Sequence, residues 1–162
     1  MADTQDPLTR SRTMAAVKSR DSAVELRVRR TLHRAGLRYR LHRRDLPGNP
    51  DIVLSCLRVV VFVHGCFWHR HVGCKRASTP TSRTEYWLPK LAGNAARDQA
   101  NIGRLAGLGW TVLIVWECDS KPARLTALAD QLVSRRADLR KSKPARPVSH
   151  AGRLTGRGVV RS

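Results

Sequence analysis

The chain lacks any run of eighteen apolar residues, so the sequence predicts no transmembrane helix. Its first residues are polar and contain no apolar segment of the signal-peptide type, which argues against secretion and favours a cytoplasmic protein. The sequence also has no internal repeat. With 162 residues, of which 41% are hydrophobic, it is expected to form one compact domain with a real core, plus tails.

Acidic residues are scarce in this chain. The chain contains 12 Asp and Glu but 31 Lys and Arg, which gives a formal net charge of +19. The stretch 135–162 holds nine basic residues against Asp138 and so accounts for +8, which leaves +11 on the rest of the chain. This excess predicts a polyanionic partner, most often nucleic acid, bound through its phosphates with no sequence choice. Residues 1–20 are expected to form a basic DNA-binding arm, and residues 138–162 a basic, disordered tail.

The pattern between these tails is typical of an α/β domain. Ser22-Ala23-Val24-Glu25 is a capping box that predicts the start of a first helix, and Gly36 predicts its end. Pro89 is expected in the first turn of a second helix. The last two strands are separated by that helix and should be parallel, so we expect a small mixed sheet flanked by helices. The predicted strands are 37–42, 51–54, 59–64 and 110–117, and the later helices are 89–108 and 121–136.

Residues 64–74 are dense in side chains that bind metal ions. Cys66, His71 and Cys74 form a C-x4-H-x2-C cluster, and this ligand set suits tetrahedral Zn²⁺, which needs a fourth ligand. One alternative is that these are free, buried cysteines. Another is that the four cysteines form two disulfides, which an oxidising compartment would favour.

Cys118 is the predicted fourth ligand. It follows the last strand, whose parallel neighbour is predicted to end at His64, and parallel strands bring their carboxyl ends to one edge of the sheet. Cys56 lies at the opposite end of its hairpin. A site closed by four protein ligands is structural, because it leaves no position for a reacting water.

Two further histidines suggest catalysis in the same segment. If His71 binds zinc, His64 and His69 remain free, and Asp51 begins the neighbouring strand. A carboxylate can hold Mg²⁺, the ion can polarise a phosphate, and a histidine can take a proton from the attacking water. The alternative for either histidine alone is a surface group or a partner of a zinc ligand.

Taken together, these motifs resemble those of the Vsr very-short-patch-repair endonucleases, bacterial enzymes that nick DNA beside a T:G mismatch. The resemblance covers residues 6–118 and implies a restriction-endonuclease-like core over residues 21–137, with histidines in place of the usual Glu-x-Lys. The segments that carry it are Arg10-Ser11, Met14, Arg20-Asp21, Leu46-Pro47-Gly48, Pro50-Asp51, His64-Gly65-Cys66-Phe67-Trp68-His69, Thr84-Glu85-Tyr86-Trp87, Arg97-Asp98, Leu108-Gly109-Trp110 and Val115-Trp116-Glu117-Cys118.

The resemblance implies a magnesium site and a set of catalytic residues. Asp51 and the backbone carbonyl of Val63 match the magnesium ligands. His69 matches the general base, Asp98 the carboxylate that orients it, and His64 a second histidine near the scissile phosphate. The implied catalytic residues are Asp51, His64, His69, Asp98 and, with a less defined role, Glu25. The implied zinc ligands are Cys66, His71, Cys74 and Cys118.

The resemblance also implies DNA contacts. Three aromatic residues match a wedge that enters the duplex beside the mismatch, two residues on the second helix match groups that touch the mismatched bases, and one on the arm matches a minor-groove probe. Apolar side chains can replace lost base stacking, at a cost of roughly a few kcal/mol per unstacked step, and a mismatch deforms cheaply. The residues are Phe67, Trp68, Trp87, Lys90, Asn94 and Met14.

The expected function is therefore a monomeric, magnesium-dependent, zinc-stabilised endonuclease that nicks 5′ of the thymine in T:G mismatches arising from 5-methylcytosine deamination. The rival hypotheses are a zinc-stabilised DNA-binding module without catalysis, and a nuclease of the same fold with another target. Asn49, Pro89 and a loop before Cys74 that is one residue longer depart from the family pattern and bear on recognition of flanking sequence. The sequence identifies no partner among other repair proteins.

Overall fold

The computed structural model describes residues 21–142, so the predicted arm and nearly all of the predicted tail lie outside the described residues. Four strands and three helices make up this part of the chain. They are α1 (Ala23–Arg34), β1 (Arg40–Leu41), β2 (Ile52–Leu54), β3 (Val59–His64), α2 (Thr84–Gly107), β4 (Thr111–Trp116) and α3 (Pro122–Lys141).

The four strands form one mixed sheet in the order β1-β2-β3-β4. β1 and β2 are antiparallel, as are β2 and β3, whereas β3 and β4 are parallel and paired from Val59↔Thr111 to His64↔Trp116. The prediction of a small mixed α/β sheet with a parallel last pair is confirmed.

The sheet has a hydrophobic core on each face. Val59 and Val61 on β3 pack into one core with residues of α1 and α3, while Val60 and Phe62 pack into the other with Leu105 of α2. Side chains alternate between faces along a strand, so β3 is apolar on both faces from Val59 to Val63. Burial of each such side chain contributes about 1.5–3 kcal/mol.

The first helix begins as the sequence predicted. The Ser22 hydroxyl accepts the Glu25 N–H at 3.2 Å, and the Glu25 carboxylate accepts the Asp21 N–H at 2.8 Å. After the helix, Gly36 adopts φ +73°, a left-handed conformation that glycine takes without steric cost.

Several predicted boundaries were wrong. α2 begins at Thr84, so Pro89 lies in its second turn rather than its first, because the buried Trp87 anchors an earlier start. α3 extends to Lys141, five residues past the predicted end. The strand predicted over 37–42 shortens to two residues, and β4, expected to be buried, is mostly half-buried at the sheet edge of the described part.

Candidate functional site

The carboxyl ends of β3 and β4 bring two loops together. Because His64 and Trp116 are register partners at the ends of these parallel strands, residues 65–74 and 117–119 emerge side by side. The His71 ring stacks on Trp116, with centroids 4.1 Å apart and an interplanar angle of 6°. The first loop is thereby held against the second.

Four metal-ligand side chains meet between these loops. The ligand atoms of Cys66, His71, Cys74 and Cys118 lie within 4.8 Å of one another. The His71 Nδ1 is 3.2 Å from the Cys118 Sγ and 3.7 Å from the Cys66 Sγ. This group could hold a metal ion, and Cys56 lies outside it, as predicted.

The chemistry of the cluster suits a cation. Burial, and then the neighbouring thiols of Cys66 and Cys74, raise the pKa of Cys118 to about 11, because three sulfur atoms this close resist ionisation. The backbone N–H of Arg76 lowers the pKa of Cys74. A bound cation would stabilise the thiolates. All four cysteines of the chain are unbridged in the structure, so the disulfide alternative is not supported.

A second group forms around the two histidines that the cluster leaves out. The His64 and His69 rings stack with centroids 3.8 Å apart, and the His69 Nδ1 lies 2.6 Å from the Asp98 Oδ2. Burial first, and then the nearness of His69, lower the pKa of His64 to about 4. His64 is therefore neutral at pH 7.

Asp51 lies across the same cleft. Its Oδ2 accepts the Val63 N–H at 2.7 Å. In a strand, the N–H and C=O of one residue face the same neighbour, so the Val63 carbonyl faces the cleft as well. Burial raises the pKa of Asp51, although the Val63 N–H acts in the opposite direction. A cation beside this carboxylate would offset the cost of its burial.

The cleft has a volume of about 350 Å³. It is half-open, and polar groups converge on it from the sheet, from the loop before β2 and from α2. Its lining residues are His42, Gly48, Asn49, Asp51, Phe62, Val63, His64, His69, Asp98, Asn101 and Ile102.

Glu25 does not line the cleft but reaches it through two residues that the sequence analysis missed. Its Oε1 pairs with the Arg29 guanidinium and lies 3.3 Å from the His42 Nε2, and the His42 Nδ1 lies 3.9 Å from the Asp51 Oδ1. Two signals could have identified these residues. Glu25 and Arg29 have the i, i+4 spacing of a helical ion pair. The hairpin places His42 opposite Asp51, where the His42 N–H donates to the Asp51 carbonyl at 3.3 Å.

The predicted aromatic wedge is a contiguous cluster. Phe67 and Trp68 meet edge to face at 5.2 Å, and Trp87 lies 5.7 Å and 6.0 Å from them. Phe67 and Trp68 are half-buried, whereas Trp87 is only 8% exposed, so Trp87 supports the other two rings.

Two polar residues of α2 border the aromatic cluster. The Lys90 ammonium lies 5.9 Å from the Trp68 ring centroid and donates to the Tyr86 hydroxyl at 2.8 Å. Asn94 donates to the Trp68 carbonyl at 3.1 Å and accepts from Arg97. Met14 lies outside the described residues.

An α/β fold whose sheet ends in a cleft of histidines and carboxylates, on a strongly basic chain, suits the class of nucleic-acid hydrolases. A family model described as DNA mismatch endonuclease Vsr matches residues 2–76. The chain is 49% identical over 118 residues to DNA mismatch endonuclease Vsr of Escherichia coli, a match that covers 73% of this chain and 75% of that protein.

Other relatives are described as nicking enzymes. The chain is 50% identical over 119 residues to the type II nicking enzyme V.XorIIP of Xanthomonas oryzae, covering 74% of this chain and 87% of that protein. It is 40% identical over 121 residues to V.NmeAIP of Neisseria meningitidis, covering 75% and 86%. The chain therefore belongs to the Vsr family of DNA mismatch endonucleases. It is a DNA endonuclease, so the rival hypothesis of a non-catalytic binding module is set aside. Within residues 21–142, none of the helices has the length and apolar character needed to cross a membrane.

Proposed function

We propose that this endonuclease nicks 5′ of the thymine in T:G mismatches that arise from deamination of 5-methylcytosine, by magnesium-dependent hydrolysis. The observation that carries the proposal is the cleft in which a carboxylate-bound histidine faces a second, half-buried carboxylate. His69 and Asp98 on one side and Asp51 on the other supply the base and the metal ligand that phosphodiester hydrolysis requires.

Asp51 and the Val63 carbonyl are the residues that would hold Mg²⁺. Hard oxygen ligands suit this ion, and it usually keeps several waters when one or two protein oxygens bind it. When bound, the ion supplies charge neutralisation at the phosphate undergoing attack. The Asp51 carboxylate is already oriented by the Val63 N–H, which fits that role.

His69 is the proposed general base. The 2.6 Å contact with Asp98 holds the Nδ1 proton, which leaves Nε2 as the free acceptor for a proton from water. His64 is neutral at pH 7, so in our proposal it donates a neutral hydrogen bond to the phosphate. Because the two rings are stacked, His64 limits the orientations that the His69 ring can adopt.

Zn²⁺ is the proposed occupant of the cysteine cluster. Three thiolates and one imidazole are a common ligand set for structural zinc, and it leaves no open coordination position. The cluster joins the β3 and β4 loops, so in our proposal the ion fixes the short segment between Cys66 and Cys74. That segment contains His69 and two residues of the aromatic cluster, Phe67 and Trp68.

The aromatic cluster is the proposed reader of the mismatch. In our proposal Phe67 and Trp68 enter the duplex, Trp87 supports them, and Lys90 and Asn94 touch the mismatched bases. Unstacking is cheapest at a base pair that is already weak, which favours mismatched over matched DNA. Met14 on the arm is the proposed minor-groove probe.

A nicking assay tests the function. Wild-type protein should nick a T:G duplex in Mg²⁺ on the thymine strand only, and Asp51→Ala and His69→Ala should each lower the rate about 10²-fold or more. Equal nicking by all three proteins would contradict the assigned residues. Nicking of a matched duplex at the same rate as the T:G duplex would instead favour a nuclease with another target.

A T:G duplex library with randomised flanks would define the methylated sequence whose deamination product is repaired.

Activity that is proportional to protein concentration at constant DNA would support monomeric action, since a nick needs one site on one strand.

A further inference from the structure

The region between α1 and the cleft contains a buried ionic group that the proposed chemistry does not use. Arg29 pairs with Glu25, donates to Asp21 at 2.6 Å, and lies 2.9 Å from His42 through its Nη2. Glu25 is 3% and Arg29 9% exposed. Buried charges are costly even when paired, so a group of this kind in a hydrophobic core needs a reason.

Both oxygens of Glu25 already have partners within the protein. Its Oε1 contacts Arg29 and His42, and its Oε2 accepts the Asp21 N–H. Although Asp21, Glu25 and His42 are close enough to be a ligand set, the Arg29 guanidinium already lies among them. The cation of this group is therefore the arginine itself.

The contacts of Arg29 define the tautomer of His42. A guanidinium has only donors, so the 2.9 Å contact is a hydrogen bond only if the His42 Nε2 accepts. The Glu25 Oε1, an acceptor 3.3 Å from the same nitrogen, favours a protonated Nε2, but the Arg29 contact is the shorter of the two. The proton of the neutral ring is then on Nδ1, which faces the Asp51 Oδ1 at 3.9 Å. This distance is too long for a hydrogen bond, but it places the positive end of the N–H dipole toward the carboxylate.

His42 is also held by its backbone. It has φ +45°, a left-handed conformation that is uncommon for residues with a side chain, and its N–H donates to the Asp51 carbonyl. Such strain persists only where the surroundings over-determine it. Here the hairpin and the Arg29–Glu25 pair supply that constraint.

We propose that His42, held as its Nδ1–H tautomer by an Arg29 that Glu25 anchors, is a positioning residue that orients the carboxylate of Asp51 for the divalent cation. The Val63 N–H fixes one oxygen of Asp51, and His42 biases the other. Glu25 acts in this account as an anchor and not as a ligand. The inference rests on the proposed role of Asp51 in holding Mg²⁺.

Two measurements on the full chain test the proposal, and the first does not depend on activity. Nitrogen-15 NMR of histidine-labelled protein distinguishes the two neutral tautomers, and His42→Gln identifies the His42 signals by their loss. We expect a protonated Nδ1 and an unprotonated Nε2 at His42. A protonated Nε2 would overturn the proposal.

The second measurement is the Mg²⁺ concentration that gives half-maximal nicking of the T:G duplex. Loss of an outer-shell partner typically weakens metal binding about 10–100-fold. We expect His42→Ala to raise this concentration about tenfold with little change in the rate at saturating Mg²⁺. His42→Gln retains a donor and should stay within about twofold of wild type.

Arg43→Ala is the matched control, because Arg43 adjoins His42 but pairs with the exposed Asp45. An unchanged Mg²⁺ requirement in His42→Ala would overturn the proposal, as would equal increases in His42→Ala and His42→Gln. If wild type fails to nick T:G DNA, the proposed function fails, while the tautomer still decides the arrangement inferred for His42.

Discussion

At the scale of single residues, the cleft keeps one histidine neutral and holds the other by a carboxylate. His64 is buried and stacks on the ring of His69, and both burial and this neighbour lower its pKa. Only His69 has a carboxylate within 2.6 Å. Two histidines five positions apart in the sequence thereby acquire different partners from their surroundings.

The depressed pKa of His64 predicts a pH dependence of stability. Its pKa is about 4 in the folded chain against about 6.5 when unfolded, so the unfolded state binds the proton more tightly. The free energy of unfolding should therefore fall as pH drops through 6.5 toward 4, by about 2 kcal/mol between pH 7 and pH 5. Urea titrations of wild type and His64→Asn at both pH values measure this difference. Identical pH dependence in the two proteins would contradict the assignment.

Sequence reasoning found the cysteines that strand topology brings together and missed His42. Cys118 was assigned correctly to the cluster because parallel strands bring their ends together, and Cys56 was excluded for the same reason. Spacing alone could not bring Asp98 to His69, since they lie on separate elements, and only the family resemblance linked them. His42 was missed because a positive φ leaves no trace in a hydrophobic pattern.

At the scale of elements, the cleft is formed where the loop before β2 packs against α2. Gly48 has φ +75°, and a Cβ added there would lie 2.9 Å from the Asn101 Nδ2. Both residues line the cleft. This close approach sets the separation between β2, which follows Asp51, and the helix that carries Asp98.

Gly48→Ala should therefore damage both stability and the cleft. Left-handed strain alone costs a non-glycine residue about 1–2 kcal/mol, and the clash with Asn101 adds to it. Gly36→Ala is the control, because Gly36 has φ +73° but a Cβ added there would lie 4.0 Å from the Arg136 Nη2, which is ordinary contact. We expect a larger drop in melting temperature for Gly48→Ala, together with slower nicking. Equal drops would show that the contact with α2 contributes nothing.

The cysteine cluster makes a separate prediction about the two loops that it joins. Purified protein should contain about one zinc per chain, and Cys118→Ser should lose it, because a structural site needs all four ligands. Metal analysis and thermal melting provide the test, and Cys56→Ser is the control since Cys56 is exposed and distant from the cluster. Retention of zinc in Cys118→Ser, or its loss in Cys56→Ser, would mean that the ligand set is wrong.

Element boundaries were predicted less well than the elements themselves. Both ends of β3 were predicted correctly. Its apolar residues begin directly after a turn, fill both faces, and continue as far as His64. The start of α2 was missed because Pro89 suggested a first turn, whereas burial of Trp87 against Phe67 decides where the helix begins. Tertiary packing of this kind is invisible to a local pattern.

At the scale of the whole molecule, charge and shape contribute differently to recognition. The net charge of +19 attracts any duplex through its phosphates, and this attraction carries no information about the mismatch. The aromatic cluster is uncharged, and in our proposal it acts only where bases can unstack. Affinity and discrimination should therefore respond to different perturbations.

Salt should weaken binding to T:G and T:A duplexes in parallel, while Trp68→Ala should weaken mainly the preference for T:G. If six to ten phosphates are contacted, both affinities fall about 10³–10⁵-fold between 50 and 200 mM salt. Stacking of one base on an aromatic ring is worth about 1–3 kcal/mol, so Trp68→Ala should reduce the T:G preference about tenfold and leave the salt slope unchanged. Binding titrations in Ca²⁺, with Leu139→Ala as an exposed apolar control on α3, measure both quantities. A changed salt slope in Trp68→Ala would mean that the cluster organises phosphate contacts, and an unchanged preference would place mismatch reading elsewhere on the molecule.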